Sequence, residues 1–402
     1  MTIALDRPGA TAADREQRAD LVARAAKLLP RIADNAERTD RERRVVEENI
    51  EALAGAGLLS VLQPARYGGL QTDMRTCLEV SREIARACGS TAWSATLLNV
   101  CSWYVGLFPG QAQNDVWAED PTTRVAGVLA PTGTAVQADG GFVVTGRWSP
   151  ASGSAHARWA IVGVLRGSGA DAEPGMVLIP MAELTVEDTW FVTGMRGTAS
   201  NTLVAEGVFV PGHRYLSSPE AVEGRYPTPH TEEAVYRSAF VPVSALVLAG
   251  PQLGLAQAAL DLVVAKAPRR TMTYTFYDSQ AVAPTSQLAI AQAASLIDSA
   301  QLHAYRAAAE IDEAAANGGY PDYDARARMR MDTGVATVNA REAIRILVSV
   351  HGAGSFAEAN PLQRIWRDSE TGSRHAIINP EVSTDLYGKS LLGIRGTVTH
   401  LI

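Results

Sequence analysis

The order in which the residue pattern changes along the chain constrains the fold most strongly. Up to about Pro121, apolar residues recur at three- and four-residue spacing between charged ones, as at Leu21, Ala25 and Leu28, which predicts helices. Short β-branched segments separated by Gly, Pro and Asp follow and predict strands. From Glu232 onward, long alanine-rich stretches predict a helical bundle. Strands segregated between two helical regions favour an α+β chain over alternating βαβ units.

These changes of pattern predict three domains. Residues 1–120 form an N-terminal helical domain, 121–230 a central β-domain and 231–402 a C-terminal helical bundle. Pro30 should kink the first helical stretch, and Asp139 to Gly141 should form a hairpin turn. The predicted helices are 13–57, 74–88, 91–107, 110–118, 234–265, 280–317 and 323–350, and the predicted strands are 124–129, 141–149, 157–164, 175–179 and 201–210.

Composition excludes several classes of function. The net charge of −7 argues against a nucleic-acid partner, because phosphate binding needs a basic surface. The three cysteines lack CxxC spacing, which predicts a reducing, cytoplasmic setting and no zinc site. No histidine pair has metal-ligand spacing, so no metal is expected. The first twenty residues have no apolar core, so they do not read as a secretory signal. No membrane span is expected either, and 240–260 is predicted to be a buried core helix.

Four stretches, in order, resemble the acyl-CoA dehydrogenase superfamily. They are PARYGG (64–69), GRWSPASGSAHARWAIVG (146–163), GMRGTASNTLVAEGVFVP (194–211) and HGAGSFAEANPLQRIWRDSETGSRH (351–375). The WxxxSG form and the GSRH after WRD are similar to the oxygenase components of two-component (group D) flavin-dependent monooxygenases. Within that branch the resemblance is to aromatic hydroxylases of the p-hydroxyphenylacetate hydroxylase type. Singly, each motif could be a core aromatic, a turn or a surface ion pair; the ordered set favours the family.

The resemblance implies both a fold and a reaction. The fold is an N-terminal helical domain, a central β-barrel or sandwich and a C-terminal four-helix bundle. The reaction takes reduced flavin, FADH2 or FMNH2, with O2 as co-substrate, forms a flavin C4a-hydroperoxide and hydroxylates an aromatic or heteroaromatic, natural-product-like substrate. No GxGxxG follows a strand, so a separate NAD(P)H:flavin reductase would supply the reduced flavin. Relatives assemble through the C-terminal bundle, so a homotetramer or homodimer is expected.

Such a reaction needs apolar walls, hydrogen-bonding groups near flavin atom N5 and a group that manages protons. Trp148 is predicted to supply a flat apolar wall. Ser152 is predicted to lie against N5, with Gly153 allowing close backbone approach. His375 is predicted to handle the proton, because imidazole titrates in the physiological range.

The resemblance also suggests where the rest of the flavin binds. Gly354, Ser355 and Phe356 resemble a flavin-contacting loop. Arg269 and Arg270 lie where the superfamily places an arginine that holds the flavin phosphate, often from a neighbouring subunit. A guanidinium suits that task, and both arginines remain candidates.

The substrate residues are expected on helices beside the flavin. Phenol-hydroxylating relatives carry a histidine where this chain has Cys101. The prediction is therefore an electron-rich substrate that needs no phenolate activation, such as an indole, a polyketide aromatic or a heteroatom nucleophile. The candidate pocket walls are Trp103, Tyr236, Arg237 and Phe240.

Two alternatives use the same fold. An acyl-CoA dehydrogenase needs a carboxylate base, usually within a Tyr-Glu-Gly run, yet here Gly388 follows Tyr387 directly. The second known location for the base, 234–260, contains no glutamate, and Asp261 comes only after it. A dehydrogenase is therefore disfavoured. A non-catalytic member of the fold would be indicated by failure to bind reduced flavin.

Overall fold

The N-terminal region is helical. The computed structural model describes residues 6–167 and 169–402, so residues 1–5 of the N-terminal segment lie outside it. The long helix predicted over 13–57 is three helices, and Pro30 lies inside the first of them, which continues to Asp34. The helices are α1 (Ala12–Asp34), α2 (Ala36–Arg41), α3 (Glu47–Gly55), α4 (Met74–Ala85), α5 (Gly89–Gly106) and α6 (Gly110–Trp117).

The central strands form one sheet. They are β1 (Val125–Ala138), β2 (Gly141–Trp148), β3 (Trp159–Arg166), β4 (Glu173–Pro180), β5 (Thr185–Glu187), β6 (Thr202–Pro211) and β7 (Tyr215–Ser217). Across the described residues their order is β5-β6-β2-β1-β3-β4-β7. Within the described residues, β5 and β7 are the two end strands of this order. Among the strands that the structure describes, β1 and β3 are the pair that runs parallel.

Two features of the sheet explain where the sequence pattern misled. β1 runs nine residues beyond the predicted end at residue 129, because a register shift between Val128 and Gly133 interrupts its alternation. β5 and β7 have three residues each, too few to show an alternating pattern. The predicted hairpin turn is confirmed: Gly140 has a φ of +75° between the antiparallel β1 and β2.

The C-terminal region is a helical bundle in which α11 contacts α9, α10 and α13. The single helix predicted over 234–265 is a short turn followed by two helices, since Pro242 fits in the first turn of α8, where its missing N–H is tolerated. The helices are α7 (Ser218–Val222), α8 (Phe240–Leu246), α9 (Ala249–Lys266), α10 (Pro284–Ala316), α11 (Tyr323–His351), α12 (Pro361–Gly372) and α13 (Pro380–Leu391).

The stretch from Phe240 to Arg269 is long and apolar enough to cross a membrane, but 78% of its most apolar window is buried inside the protein. That burial is what a core helix shows. The predicted domain boundaries fall between α6 and β1 and between α7 and α8.

Helix α5 lies where the three regions meet. It contacts β1, α9, α12 and the turn Arg196–Thr198. All its residues except Leu97 are buried, as expected of a helix that is apolar on every side. Side chains of α5 therefore reach the sheet and the C-terminal helices at once.

Candidate active site

Two loops of the sheet hold Ser152 against α5. The backbone N–H of Ala151 donates to the carbonyl of Asn201, and that of Gly153 donates to the carbonyl of Thr198, both across 3.1 Å. Gly153 has a φ of +78°, and a Cβ there would lie 3.3 Å from a leucine of α5. The position therefore requires glycine, and Ser152 is fixed beside the second loop.

A chain of buried hydroxyl groups, here called the hydroxyl relay, consists of Ser152, Ser200 and Thr198. The indole N–H of Trp93 donates to Ser152 Oγ across 3.3 Å. Ser152 Oγ and Ser200 Oγ are 2.6 Å apart, and Ser200 Oγ and Thr198 Oγ1 are also 2.6 Å apart. Thr198 Oγ1 donates to the carbonyl of Met195 across 2.8 Å. The relay links α5 to the turn at residues 195–199 through buried groups only.

His375 also lies beside Trp93, with ring centroids 6.1 Å apart. Its Nδ1 accepts the backbone N–H of Ile377 across 3.4 Å, which places the proton of the neutral ring on Nε2. Burial lowers the pKa of His375 to about 4. The expected titration near neutral pH is therefore corrected: the imidazole is neutral at pH 7 and offers an N–H.

Asp368 on α12 holds the turn that carries the relay. Its Oδ1 accepts the backbone N–H of Met195 across 2.6 Å. Burial raises the pKa of Asp368 to about 6 despite that hydrogen bond. A Cβ on Gly194 would overlap the backbone carbonyl of Arg367, so the turn packs directly on α12. Met195 and Ala199 have φ values of 55° and 45°, a left-handed backbone that is uncommon outside glycine.

Trp93, Thr198, Ser200 and Asp368 were not among the predicted site residues. The WRD motif contains Asp368, but its carboxylate could equally have been a surface ion-pair partner. Trp93 lies in a helix that is apolar on every side, so periodicity gives no signal for it.

Trp148 is not the apolar wall expected from the sequence. It is completely buried in the sheet, and its indole N–H donates to the carbonyl of Gly163 across 2.6 Å. An enclosed ring presents no face to a ligand. Trp93, which contacts Ser152 and His375, is the tryptophan at this site.

A second group of predicted residues gathers before the N-terminus of α12. Arg270 Nη2 donates to the carbonyl of His351 across 2.7 Å, and a Cβ on Gly354 would lie 3.6 Å from the same guanidinium. Ser355 is fully buried, and its hydroxyl donates to the carbonyl of Val348 across 3.0 Å. Ser355 therefore supports this loop, because its side chain is directed inward and cannot contact a flavin.

Arg269 and Phe356 lie on the surface near this second group. Arg269 is exposed, and the exposed ring of Phe356 packs edge-on against Trp366 at 5.4 Å. The 12 residues of α12 separate this group from His375, a distance of about 18 Å at 1.5 Å per residue. One chain thus places Ser152 and His375 each beside Trp93, and Arg270 beside Gly354, with the length of α12 between the two groups.

The predicted substrate residues form a packed core beside α5. Burial raises the pKa of Cys101 to about 12, and a Cβ on Gly127 would lie 2.9 Å from its sulfur. Trp103 and Phe240 each lie 5.3 Å from the ring of Tyr104. These side chains are close together, and Cys101 is a neutral thiol against the sheet.

Tyr236 and Arg237 have structural contacts. The Tyr236 hydroxyl donates to the carbonyl of Leu62 across 2.8 Å, and its ring is buried. Arg237 donates from Nε and Nη2 to the carbonyl of Ala315 across 3.0 and 2.8 Å. Arg237 therefore ties the turn before α8 to the end of α10 instead of lining a pocket.

The residues around Ser152 fit a planar, hydrogen-bonding group such as flavin. The hydroxyls of Ser94 and Ser154 are buried and, within the described part of the chain, have no hydrogen-bond partner. Buried polar groups are normally paired, so these hydroxyls are suited to a ligand edge. With the Nε2–H of His375 and the Trp93 ring, the set offers several polar contacts in an apolar surrounding.

In the part of the chain that the structure describes, one other cluster has potential metal ligands. His230, Glu232 and Glu233 place one ligand atom each within 4.8 Å of one another. Glu233, however, is already paired with Arg66, and Glu232 is exposed. This cluster is therefore not proposed as a metal site.

Comparisons with known proteins show which family the chain resembles. The family models for the acyl-CoA dehydrogenase N-terminal and C-terminal domains match residues 14–122 and 246–380. The flavin-dependent monooxygenase oxygenase subunit HsaA of Mycobacterium tuberculosis is 35% identical over 91% of this chain and 94% of its own length. The FADH2-dependent resorcinol hydroxylase oxygenase component of a Rhizobium species is 32% identical, covering 93% of this chain and 94% of the relative. XiaF from a Streptomyces species, solved with FADH2 and glycerol, superimposes with a TM-score of 0.90 at 37% identity, over 96% of this chain and 98% of XiaF.

Proposed function

The chain belongs to the oxygenase components of two-component flavin-dependent monooxygenases, which share the acyl-CoA dehydrogenase fold, and we propose that Ser152 and His375 form the reacting end of its site. It is a flavin-dependent monooxygenase that uses reduced flavin and O2 to hydroxylate an aromatic or heteroaromatic substrate. The observation that carries the placement is that Ser152 and His375 both contact Trp93 in a buried setting.

Reduced flavin, when bound, supplies the two electrons that activate O2. With flavin bound, the Ser152 hydroxyl would contact the ring at N5, and the neutral His375 would offer its Nε2–H as a hydrogen-bond donor. The packed side chains around α5 exclude water, which strengthens these contacts. One oxygen atom enters the substrate and the other leaves as water.

The substrate is electron-rich in its own right. Cys101 remains a neutral thiol because burial raises its pKa to about 12, so it does not deprotonate a phenol at pH 7. An indole or a polyketide aromatic reacts without that help. Cys101 is the candidate for the substrate side of the site, whereas Trp103, like Trp148, is completely buried with its indole N–H bonded to a backbone carbonyl.

The dehydrogenase alternative lacks its base. Tyr387 and Gly388 lie on α13 with no glutamate between them, and Asp261 on α9 is exposed and paired with Arg86 at 3.2 Å. Asp368 is buried and held by Met195, so a substrate carbon does not reach it. Anaerobic addition of short- and medium-chain acyl-CoA thioesters should leave bound oxidised flavin unbleached; rapid bleaching would revive this alternative.

A second copy of the chain completes the flavin site. The second group around Arg270 is about one α12 length from His375, and the nearby Tyr274 and Phe276 are fully exposed. A neighbouring subunit that covers this surface would bring its Arg270 to the flavin phosphate. We propose a homotetramer or homodimer that works in the cytoplasm with a separate NAD(P)H:flavin reductase. Sedimentation analysis tests the assembly.

Oxygen transfer is tested with labelled O2. The purified protein alone should not consume NAD(P)H, but with a flavin reductase, FAD or FMN, and a panel of indoles and phenols it should place one ¹⁸O atom from ¹⁸O2 into product. Direct NAD(P)H consumption by the isolated chain would contradict the two-component assignment. Failure to bind reduced FAD or FMN would instead favour a non-catalytic member of the fold.

A further inference from the structure

The hydroxyl relay has chemically fixed ends. At one end the indole N–H of Trp93 can only donate, and it points to Ser152 Oγ at 3.3 Å. At the other end the carbonyl of Met195 can only accept, and Thr198 Oγ1 lies 2.8 Å from it. The hydroxyls between these ends carry one proton each. The donor and the acceptor of every hydrogen bond in the relay can therefore be assigned.

The count allows one arrangement that keeps all four bonds. The Thr198 hydroxyl donates its hydrogen bond to the Met195 carbonyl, so it must accept the hydrogen bond from Ser200 at 2.6 Å. Ser200 then has no proton left and must accept from Ser152, also at 2.6 Å. Ser152 donates inward to Ser200 and accepts from Trp93. One lone pair on Ser152 Oγ is all that remains for a ligand.

We propose that Thr198 and Ser200 are positioning residues that make Ser152 a hydrogen-bond acceptor toward flavin N5, so that the site prefers reduced over oxidised flavin. Reduced flavin carries a proton on N5 and donates; oxidised flavin has only a lone pair there. A Ser152 oxygen with no free proton is complementary to the first and repels the second. This inference rests on the proposed placement of the flavin at Ser152.

The protein environment favours this fixed direction. Ser152, Ser200 and Thr198 are each at most 4% exposed, so water does not supply alternative partners. Reversing the relay would break the bond from the Thr198 hydroxyl to the Met195 carbonyl, a loss of one buried hydrogen bond. The turn that carries Thr198 is itself held on α12 by the Asp368–Met195 bond.

The test compares two threonine-to-valine variants of the full-length protein. Thr198→Val removes the terminal donor, which lets Ser200 turn toward Ser152 and frees the Ser152 proton for the ligand. Thr202→Val is the matched control: Thr202 is also buried, and its hydroxyl pairs with Thr189 at 2.7 Å, outside the relay. Dissociation constants for FAD and for photoreduced FAD are measured under argon, and for FMN in the same way.

In the wild type, reduced flavin should bind more tightly than oxidised flavin. Thr198→Val and Ser200→Ala should each reduce that preference roughly two- to tenfold, the value of one hydrogen bond, whereas Thr202→Val should not. Thr198→Ser and Ser200→Thr keep the hydroxyls and should restore the preference. In a Ser152→Ala background, Ser200→Ala should have no further effect on the ratio.

The possible outcomes distinguish failure of the hydroxyl relay from failure of the proposed function. If the wild type binds neither form of FAD or FMN, the proposed function fails and the inference fails with it. If the wild type prefers reduced flavin but Thr198→Val and Thr202→Val give the same ratio, the function stands and the relay is overturned. Melting temperatures of all variants identify any that do not fold. In that case Thr198→Ser and Ser200→Thr, which keep the hydroxyls, decide whether the relay sets the preference for reduced flavin.

Discussion

The carboxylate of Asp368 accepts the backbone N–H of Met195 across 2.6 Å, and this bond joins α12 to the turn that carries the hydroxyl relay. Asp368→Ala leaves that buried N–H unpaired and should lower the free energy of unfolding by about 1–3 kcal/mol. Asp368→Asn keeps an acceptor oxygen and should lose less. Urea unfolding of both variants measures the difference, and equal losses would mean that the bond to Met195 does not matter.

Asp368 also makes the stability of the fold depend on pH, in a direction that can be predicted. The pKa of Asp368 is raised to about 6 in the folded protein, from 3.8 as its ordinary value. The folded state therefore binds the extra proton, and this contribution to stability is lost as the pH rises through 6. The Tm of Asp368→Asn relative to wild type should increase from pH 5 to pH 7. A constant or falling difference would contradict the raised pKa.

His375→Ala should slow hydroxylation by about 10²–10⁴-fold, the usual effect of losing one positioned acid–base group. His375→Gln can replace the Nε2–H donor with an amide N–H and should retain more activity. Because burial lowers the pKa of His375 to about 4, the wild-type rate should show no ionisation near pH 6.5 from this residue. A step near 6.5 that disappears in His375→Gln would show that the imidazole titrates.

Ser152→Ala should still consume O2 but should release more hydrogen peroxide per hydroxylated product, because the contact at flavin N5 is gone. The control is Ser102→Ala, which removes a buried hydroxyl of α5 bonded only to the helix's own Leu98 carbonyl. Peroxide and product are quantified in the same reaction. Wild-type coupling in Ser152→Ala would remove the flavin from this position.

Arg270 and Arg269 can be separated by lysine substitution. Arg270 is anchored beside Gly354 by two contacts with His351, whereas Arg269 is exposed. A guanidinium that binds phosphate through two N–H groups is poorly replaced by an ammonium. Arg270→Lys should weaken flavin binding about tenfold or more, and Arg269→Lys should change it little. The reverse order would identify Arg269 as the phosphate ligand.

His156 predicts an acid-sensitive fold. Its pKa is lowered to about 4, first by burial and then by Arg44 and Arg124, against the opposing effect of Glu47. The unfolded chain therefore binds the proton more readily, and stability is lost as the pH falls from about 6.5 toward 4. His156→Gln should flatten this loss in thermal unfolding between pH 7 and pH 5. His400→Gln, at an exposed position, is the matched control.

The sequence predicted what periodicity and motif order encode, and missed what depends on packing. The helical, β and helical order was correct, and the strand–turn–strand of GMRG was recognised by resemblance. Trp148 and Trp93 could not be told apart, because each is a tryptophan in an apolar stretch and only tertiary packing encloses one and places the other at Ser152. The roles of Ser200 and Thr198 could not be predicted either. Ser200 pairs with Ser152, 48 residues earlier in the chain, and such a pair has no sequence signature.

The direction of the four hydrogen bonds from Trp93 to Met195 affects how flavin is transferred between the reductase and this protein. Flavin must reach this site reduced and leave it oxidised for the next round. A serine that can only accept a hydrogen bond binds the incoming reduced form and binds the flavin less tightly once N5 has lost its hydrogen. The exchange of spent flavin for fresh flavin is then favoured by the oxidation state of the ring itself.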